Sequence, residues 1–455
     1  MITIVEPKEH IEKLWGKQQI LEGEVYRLMR YVLRVEYGKH VLLHNVVTGH
    51  LVILDPYEEK SLDYLPARYS NDMRQLVESH FLVPDQFDEH QQVVKMRHIM
   101  MMLDDAQRDN SFTTYTIIPT TACNARCYYC FEQGAEIVTM SKETADDAVK
   151  FITANCGTEK KAFILWFGGE PTVASHRIDQ ICKGLYENGV SFESDMISNG
   201  YLFDEDMVDR AKMIWNLKHV QLSVDGTEEL YNKIKNYVDP GDDPYRRVMR
   251  NVGLLLKCGI RVGLRMNFDL NNHDEFKKLL KDVDGQYEDK SLLNVYAYPI
   301  IGEYADNEGK TLHGSKAWFD REYVQLNDLS RKMGLNHSKR DLPFLKHVGC
   351  GAFCKSAVTI TAKGTLVRCS EKFEDAQMTG DVRQGVTRKD IVQSWRELAD
   401  VQMCNECVFF PECIKLKHCS ASENCYFGER NHLYELAVKR HYADWMNQQN
   451  EKGGL

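Results

Sequence analysis

The sequence predicts an α/β protein. An open, partial (β/α)6 barrel spans residues 113–310, with a small mixed module before it and a cysteine-rich segment after it. Three observations carry this. From about residue 113, extended apolar runs alternate with amphipathic stretches about six times, the pattern of parallel strands covered by helices. Six repeats are too few to close an eight-stranded barrel, so the sheet should stay open. The 14 cysteines are clustered: none in residues 1–122, three within 123–130 and eight between 350 and 425.

The elements follow in order. Residues 40–46 and 50–54 are apolar runs joined at Val47-Thr48-Gly49, a hairpin signal. Helical patterns follow at 58–65 and 71–80, and 81–84 is extended. Strands and short helices of this size resemble a winged-helix fold, which sets a module at 1–95. A connecting helix over 93–107 makes 96–112 a linker. In the barrel, 115–119 is the first strand. Ser141 caps a helix with Glu143 in its first turn and Ala145, Ala148, Val149 and Ile152 on one face. Residues 162–167 form a buried strand. A helix at 178–186, a strand through 196–197, a helix at 204–215 and a strand at 220–224 continue the alternation. Helix 245–258, strand 261–268, helix 274–283 and strand 292–298 complete it. Residues 311–349 read as a bridge, 350–428 as the cysteine-rich domain and 429–455 as a terminal amphipathic helix. Inside the cysteine-rich domain, 358–360 and 365–368 flank a turn at Lys363-Gly364.

Composition narrows the function. Of the 455 residues, 43% are hydrophobic and 27% charged, ordinary for a globular chain. The net charge of −10 argues against nucleic acid as a partner. No apolar run reaches the length of a membrane span, and the first ten residues lack a signal-peptide pattern. The expected compartment is therefore cytoplasmic. There, clustered cysteines point to metal or cluster ligation rather than disulfides.

Two constellations carry the chemistry. Cys123-Asn-Ala-Arg-Cys127-Tyr-Tyr-Cys130 is a CxxxCxxC loop after a strand. Three such thiolates hold three irons of a four-iron cluster and leave the fourth open to a small ligand. A zinc site lacking one ligand is the competing reading. The loop, with its aromatic Tyr129, resembles that of the radical S-adenosylmethionine (SAM) enzymes. Gly168-Gly169-Glu170-Pro171 after the second strand resembles their GGEP motif, which implies a grip on the methionine ammonium. Ser198, Asn199, Ser223, Asp225, Arg265 and Asn267 stand where similar enzymes hold SAM. Turn-forming polar residues at strand ends are the structural alternative for these six.

The C-terminal cysteines resemble the SPASM extension of that family, which implies two auxiliary 4Fe-4S clusters beside the SAM-binding one. By resemblance, Cys350, Cys354, Cys369 and Cys419 hold the nearer cluster, and Cys404, Cys407, Cys413 and Cys425 the farther. Five residues separate Cys413 from Cys419 where the family usually has three, and Cys425 follows early, so the placing of those last two stays open. Paired zinc ribbons, also built on CxxC, are the alternative. Cys156, Cys182 and Cys258 read as buried small hydrophobes.

The resemblance implies reductive cleavage of SAM to a 5′-deoxyadenosyl radical, which abstracts hydrogen from the substrate. An N-terminal module ahead of a SPASM barrel implies a ribosomally made precursor peptide, held by its leader as an added strand. The expected reaction is a cross-link, with a cysteine thioether leading. A carbon–carbon link and formylglycine formation are the rivals. Flavodoxin or ferredoxin is the implied electron donor. A non-catalytic metal-binding or electron-transfer protein would account for the cysteines but not for the strand-end series.

Overall fold

The computed structural model describes residues 1–16, 18–107, 111–241, 243–300, 316–337, 342–372, 374–399, 404–418 and 431–451. The chain divides into two compact units, each assembled from separated segments. The first comprises Met1–Gln107, Lys339–Gly349 and Glu397–Leu455. The second comprises Arg108–Ser338 and Cys350–Arg396.

The first unit holds strands β1 (Ile2–Val5), β2 (Val25–Leu28), β3 (Val32–Tyr37), β4 (His40–Asn45), β5 (Leu51–Ile53), β6 (Ala67–Arg68) and β7 (Leu82–Pro84). They form a four-stranded sheet of order β1-β5-β4-β3 and a three-stranded sheet of order β6-β2-β7. The expected hairpin is β4–β5, with Leu42 opposite Ile53 and Gly49 at φ +76° in its turn. Asp55 and Glu58 form a reciprocal capping box on helix Pro56–Leu62, two orphan backbone donors satisfied at once. The expected connecting helix is the latter part of Glu89–Gln107. It is not a spacer, because its Val93, Met96 and Met100 lie in the unit's core with Tyr26, Tyr31, Leu345, Phe409 and Tyr434. That core therefore draws on residues hundreds of positions apart in the chain.

Three histidines are buried in this unit: His44, His50 and His80. Burial pushes them down to about 3, about 4 and about 4 respectively. They stay neutral in the fold, whereas the unfolded chain binds their protons below about pH 6.5. The unfolded state therefore gains protons first as pH falls, so stability present above that value is lost on the way down to pH 4. At pH 5.5 each histidine costs about 1.4 kcal/mol, or roughly 4 for the three. Thermal melting at pH 7.5 and pH 5.5 checks this, and a triple His→Gln variant with the same pH sensitivity as the parent would refute it.

The second unit holds β8 (Thr114–Ile117), β9 (Lys161–Trp166), β10 (Ser191–Ser198), β11 (Leu217–Ser223), β12 (Arg261–Phe268) and β13 (Leu293–Pro299). These six strands are all parallel and lie in sequence order in an open sheet. Helices Lys142–Asn155, Ser175–Glu187, Glu205–Met213, Pro244–Lys257 and Glu275–Gln286 connect them. Ser141 Oγ accepts from the Thr144 N–H at 3.0 Å, the expected cap. One face of the sheet buries Tyr115, Ile164, Trp166, Met196, Val220, Leu264 and Val295 in one core with helix residues such as Ala148, Ile181 and Val252.

Four further strands extend this sheet: β14 (Ala357–Ile360), β15 (Thr365–Val367), β16 (Met378–Asp381) and β17 (Gly385–Val386). β14 pairs parallel to β8, Ala357 opposite Thr114. β14 and β15 are the expected hairpin, with Gly364 at φ +81° in the turn. The hairpin thus belongs to the barrel sheet, and the residues after Cys350 are shared between the two units. Among the described residues, no helix is long and apolar enough to cross a membrane.

Candidate active site at the strand ends

Parallel strands bring all their C-terminal ends to one edge, so residues far apart in sequence meet there. After β8, the chain runs through Thr120 and Ala122 into the cysteine loop. Gly168 and Gly169, after β9, lie against that backbone. A Cβ on Gly168 would stand 2.4 Å from the Thr120 carbonyl, and one on Gly169 2.4 Å from the Ala122 carbonyl. Gly168 also sits at φ +129°. Only glycine fits at both positions. The Gly169 and Glu170 N–H groups donate to Thr120 O at 3.1 Å and Ala122 O at 2.9 Å, fastening the loop to β9.

Glu170 is fully buried. Its Oε1 accepts from the Thr172 N–H at 3.1 Å, the Thr172 hydroxyl at 2.5 Å and the Ser198 hydroxyl at 2.8 Å. Its Oε2 accepts from the Asn199 N–H at 2.7 Å. Burial raises its carboxyl above the usual range, against the pull of these donors. The carboxylate thus ties the β9 end to the β10 end, and only Oε2 has acceptor capacity left. Asn199 continues the chain of contacts, donating from Nδ2 to Asn124 Oδ1 at 2.7 Å, with Cys123 Sγ at 3.9 Å.

Deeper in the site, Asp225 and Lys235 form a buried ion pair at 2.7 Å, with side chains 0% and 1% exposed. Asp225 also accepts from the Tyr129 hydroxyl at 2.5 Å and from the Asn267 N–H and Nδ2 at 3.1 and 3.0 Å. Lys235 Nζ donates to Ser223 Oγ at 2.7 Å and Tyr129 Oη at 3.2 Å. Burial is the largest single influence and works against the ammonium, but Asp225 together with Tyr129, Cys127 and Tyr231 outweighs it and holds Lys235 well above its ordinary value. Lys235 also favours the thiolate of Cys127.

The structure therefore brings Tyr129, Ser223, Asp225 and Asn267 together around Lys235, and Glu170, Ser198 and Asn199 together beside Cys123. Arg265 pairs with Ser223 across the β11–β12 ladder, but its side chain is hydrogen-bonded to neither group. Its guanidinium lies over Tyr298, 4.1 Å from the ring centroid, and its buried Nε has no hydrogen-bond partner. Lys235 was not legible in the sequence, since a lysine in the last turn of helix Glu228–Lys235 reads as a solvated end. The available signal is its position four residues after buried Tyr231, on the helix's inward face.

The three loop cysteines are partly buried. Burial pushes the Cys123 thiol up to about 12 and raises Cys127 and Cys130 as well. Such thiols are protonated until a metal takes the proton's place. Among the described residues, no three His, Cys, Asp or Glu side chains are placed to hold one metal ion. A cluster differs in taking each thiolate at a separate iron atom. The all-sulfur donor set and the orphaned Arg265 Nε fit an iron–sulfur cluster and an anionic ligand group.

Of the later cysteines, Cys350, Cys354 and Cys369 fall in the second unit and Cys404, Cys407 and Cys413 in the first. Cys404 and Cys407 act electrostatically on Cys413, whose thiol is pushed up to about 12, chiefly by burial. Cys419 and Cys425 lie outside the described residues. Cys156 and Cys182 are buried in the barrel core. Cys258 packs against it half-buried, as its helical position leads one to expect.

Residues 117–283 match the model of the Radical SAM superfamily. Pre-heme d1 synthase of Dinoroseobacter shibae is 24% identical over 179 residues, 39% of this chain and 42% of that protein. The chain thus matches less than half the length of that relative. A structure of anSMEcpe with bound AdoMet and a Cp18Cys peptide covers 75% of this chain and 99% of its own, at 17% identity and a TM-score of 0.56. Streptococcus suis SuiB bound to the precursor peptide SuiA covers 86% and 94%, at 13% identity and a TM-score of 0.51. These two likenesses show the fold. The matched stretch, residues 117–283, holds the cysteine loop, the glycine pair and the strand ends that present them, and it is a radical SAM domain.

Proposed function

We propose that this enzyme is a peptide maturase that installs a cross-link in a ribosomally made precursor, with a cysteine thioether as the leading product. The observation that carries it is the division of the cysteines on one chain. Cys123, Cys127 and Cys130 stand at the strand-end site, and two further groups follow residue 349. In this reading Cys350, Cys354, Cys369 and Cys419, and Cys404, Cys407, Cys413 and Cys425, hold two auxiliary clusters over residues 350–428. The peptide-bound states of anSMEcpe and SuiB support a peptide substrate.

When bound, the cluster at Cys123, Cys127 and Cys130 supplies the electron that cleaves SAM, delivered by a flavodoxin or ferredoxin. The chain's own residues bind and orient. Arg265, with a free Nε, takes the SAM carboxylate. Glu170 Oε2 has room for one donor, the methionine ammonium. Tyr129, Ser223 and Asn267, locked around Asp225 and Lys235, fix the nucleoside end. The barrel core beneath excludes water.

Residues 1–95 are proposed as the leader-binding module. β3 forms one edge of its four-stranded sheet, where an extended peptide can add a strand. Deleting the module would also strip the core it shares with Leu345, Phe409 and Tyr434, so deletion is a poor test. Hydrogen exchange is a better one. The precursor should protect amides of Val32–Tyr37, and full precursor binding without protection anywhere in residues 1–95 would remove the module from the reaction. For the reaction itself, the anaerobically reconstituted chain receives SAM, a reductant and precursor. The product should be lighter by about two hydrogens per link, because each link removes two hydrogen atoms. One peptide cysteine per link should then resist alkylation. Alkylation at every cysteine points to a carbon–carbon link, and an aldehyde without a link to formylglycine formation. An unchanged precursor mass beside active SAM cleavage would refute the peptide substrate.

A further inference from the structure

Three arginines are buried among the described residues, Arg97 at 3% exposed, Arg368 at 4% and Arg396 at 8%, and the first two share one hydrogen-bonding pattern. Arg97, in the first unit, donates only to backbone carbonyls. Its Nε reaches Lys346 O at 3.0 Å, and its Nη2 reaches Phe410 O at 2.7 Å, Pro411 O at 2.9 Å and Cys413 O at 3.3 Å. The plane lies over the Phe410 ring, 4.8 Å from its centroid. Arg368, in the second unit, repeats the device. Its Nε reaches Ala352 O at 3.0 Å and its Nη1 reaches Ala357 O at 2.5 Å. Its Nη2 donates to Gly351 O at 3.4 Å and to Cys354 O. Each arginine thus fastens the turn that carries one group of cysteines.

Among the described residues, both guanidiniums donate to backbone carbonyls and no carboxylate acts on the charge of either. Burial lowers both to about 10, so both remain cationic at neutral pH. A buried cation held by carbonyl dipoles alone lacks a counter-ion, which is an unfavourable arrangement. The ionisable groups that favour its charge are Cys413 and Tyr31 around Arg97, and Cys354 and Cys350 around Arg368. Neutral thiols supply no counter-charge. Thiolates bound to iron do, and a cluster ligated by them carries net negative charge.

We propose that Arg97 and Arg368 are the counter-charges of two auxiliary iron–sulfur clusters, each positioning its own cysteine turn through backbone carbonyls. This rests on the reading that the later cysteines bind clusters. Each arginine raises the reduction potential of its own cluster, because the added electron is stabilised by the adjacent cation. The two act independently, since they serve different cysteine groups.

The test uses the full chain, reconstituted anaerobically, with iron analysis and redox titration followed by electron paramagnetic resonance. Arg97→Gln should shift one auxiliary signal to more negative potential and leave the other two clusters unmoved. Arg368→Gln should shift the other auxiliary signal. Arg97→Lys and Arg368→Lys, which keep the charge, should restore most of each shift. If a Gln variant loads no cluster at that site while its Lys counterpart does, the charge requirement is also shown. Full iron content with both auxiliary potentials unmoved in the Gln variants would overturn the inference and leave the cluster reading intact. Equal loss of iron in the Lys and Gln variants would also overturn it, because the fork geometry and not the charge would then be what matters. A parent chain holding iron for only the Cys123–Cys127–Cys130 site would overturn both.

Discussion

Changing Cys123, Cys127 and Cys130 together to alanine should remove about four irons per chain and abolish SAM cleavage. If, as proposed, the later cysteines hold two auxiliary clusters, these should persist and leave roughly 8 of 12 irons. The expectation follows from the local construction of the site. The loop is fastened by backbone bonds from Gly169 and Glu170, and by the Arg126 N–H to Lys235 O at 2.8 Å, none of which needs a cysteine side chain. The variant therefore keeps its scaffold while losing its ligands. Iron analysis and detection of 5′-deoxyadenosine check both parts. Unchanged iron, or zinc in its place, would refute the assignment.

The second large effect concerns the Asp225–Lys235 pair. Lys235→Met leaves Asp225 buried with only Tyr129 and Asn267 as donors. Breaking a buried pair by removing one partner costs roughly 3–5 kcal/mol. Asp225→Asn should cost a similar amount, because it strands the ammonium instead. The double variant removes both charges and should recover most of the loss, so the two single effects should be strongly non-additive. Denaturant unfolding of the metal-free chain measures this. The single variants should also loosen Tyr129 and Ser223, which Lys235 holds, and so weaken SAM binding in the reconstituted enzyme. Additive losses in the double variant would show that the pair is not coupled as its 2.7 Å separation requires.

Much of the barrel was legible because its signals are local. Strand Arg261–Phe268 was read with both ends correct, and Ser141 was identified as a cap, because periodicity and capping depend on residues within a turn or two of each other. The strand-end motifs were legible for a related reason. Parallel strands deliver their C-terminal ends to one edge, so a polar cluster after each apolar run already marks the site. Lys235, Arg97 and Arg368 escaped notice because a basic residue in sequence looks solvated, and only distant segments reveal that it is enclosed.

By itself, the sequence determined the alternation of strands and helices, the glycine pair that lets the cysteine loop lie against β9, and the grouping of the cysteines. Those features rest on side-chain size, period and spacing, which the chain carries locally. Only the tertiary structure decided which polar groups share a buried charge, that β14 joins the barrel sheet beside β8, and that helix Glu89–Gln107 is core rather than connector. Each of these depends on contacts between segments up to hundreds of residues apart, where loop closure and burial select the partner and no local pattern records the choice.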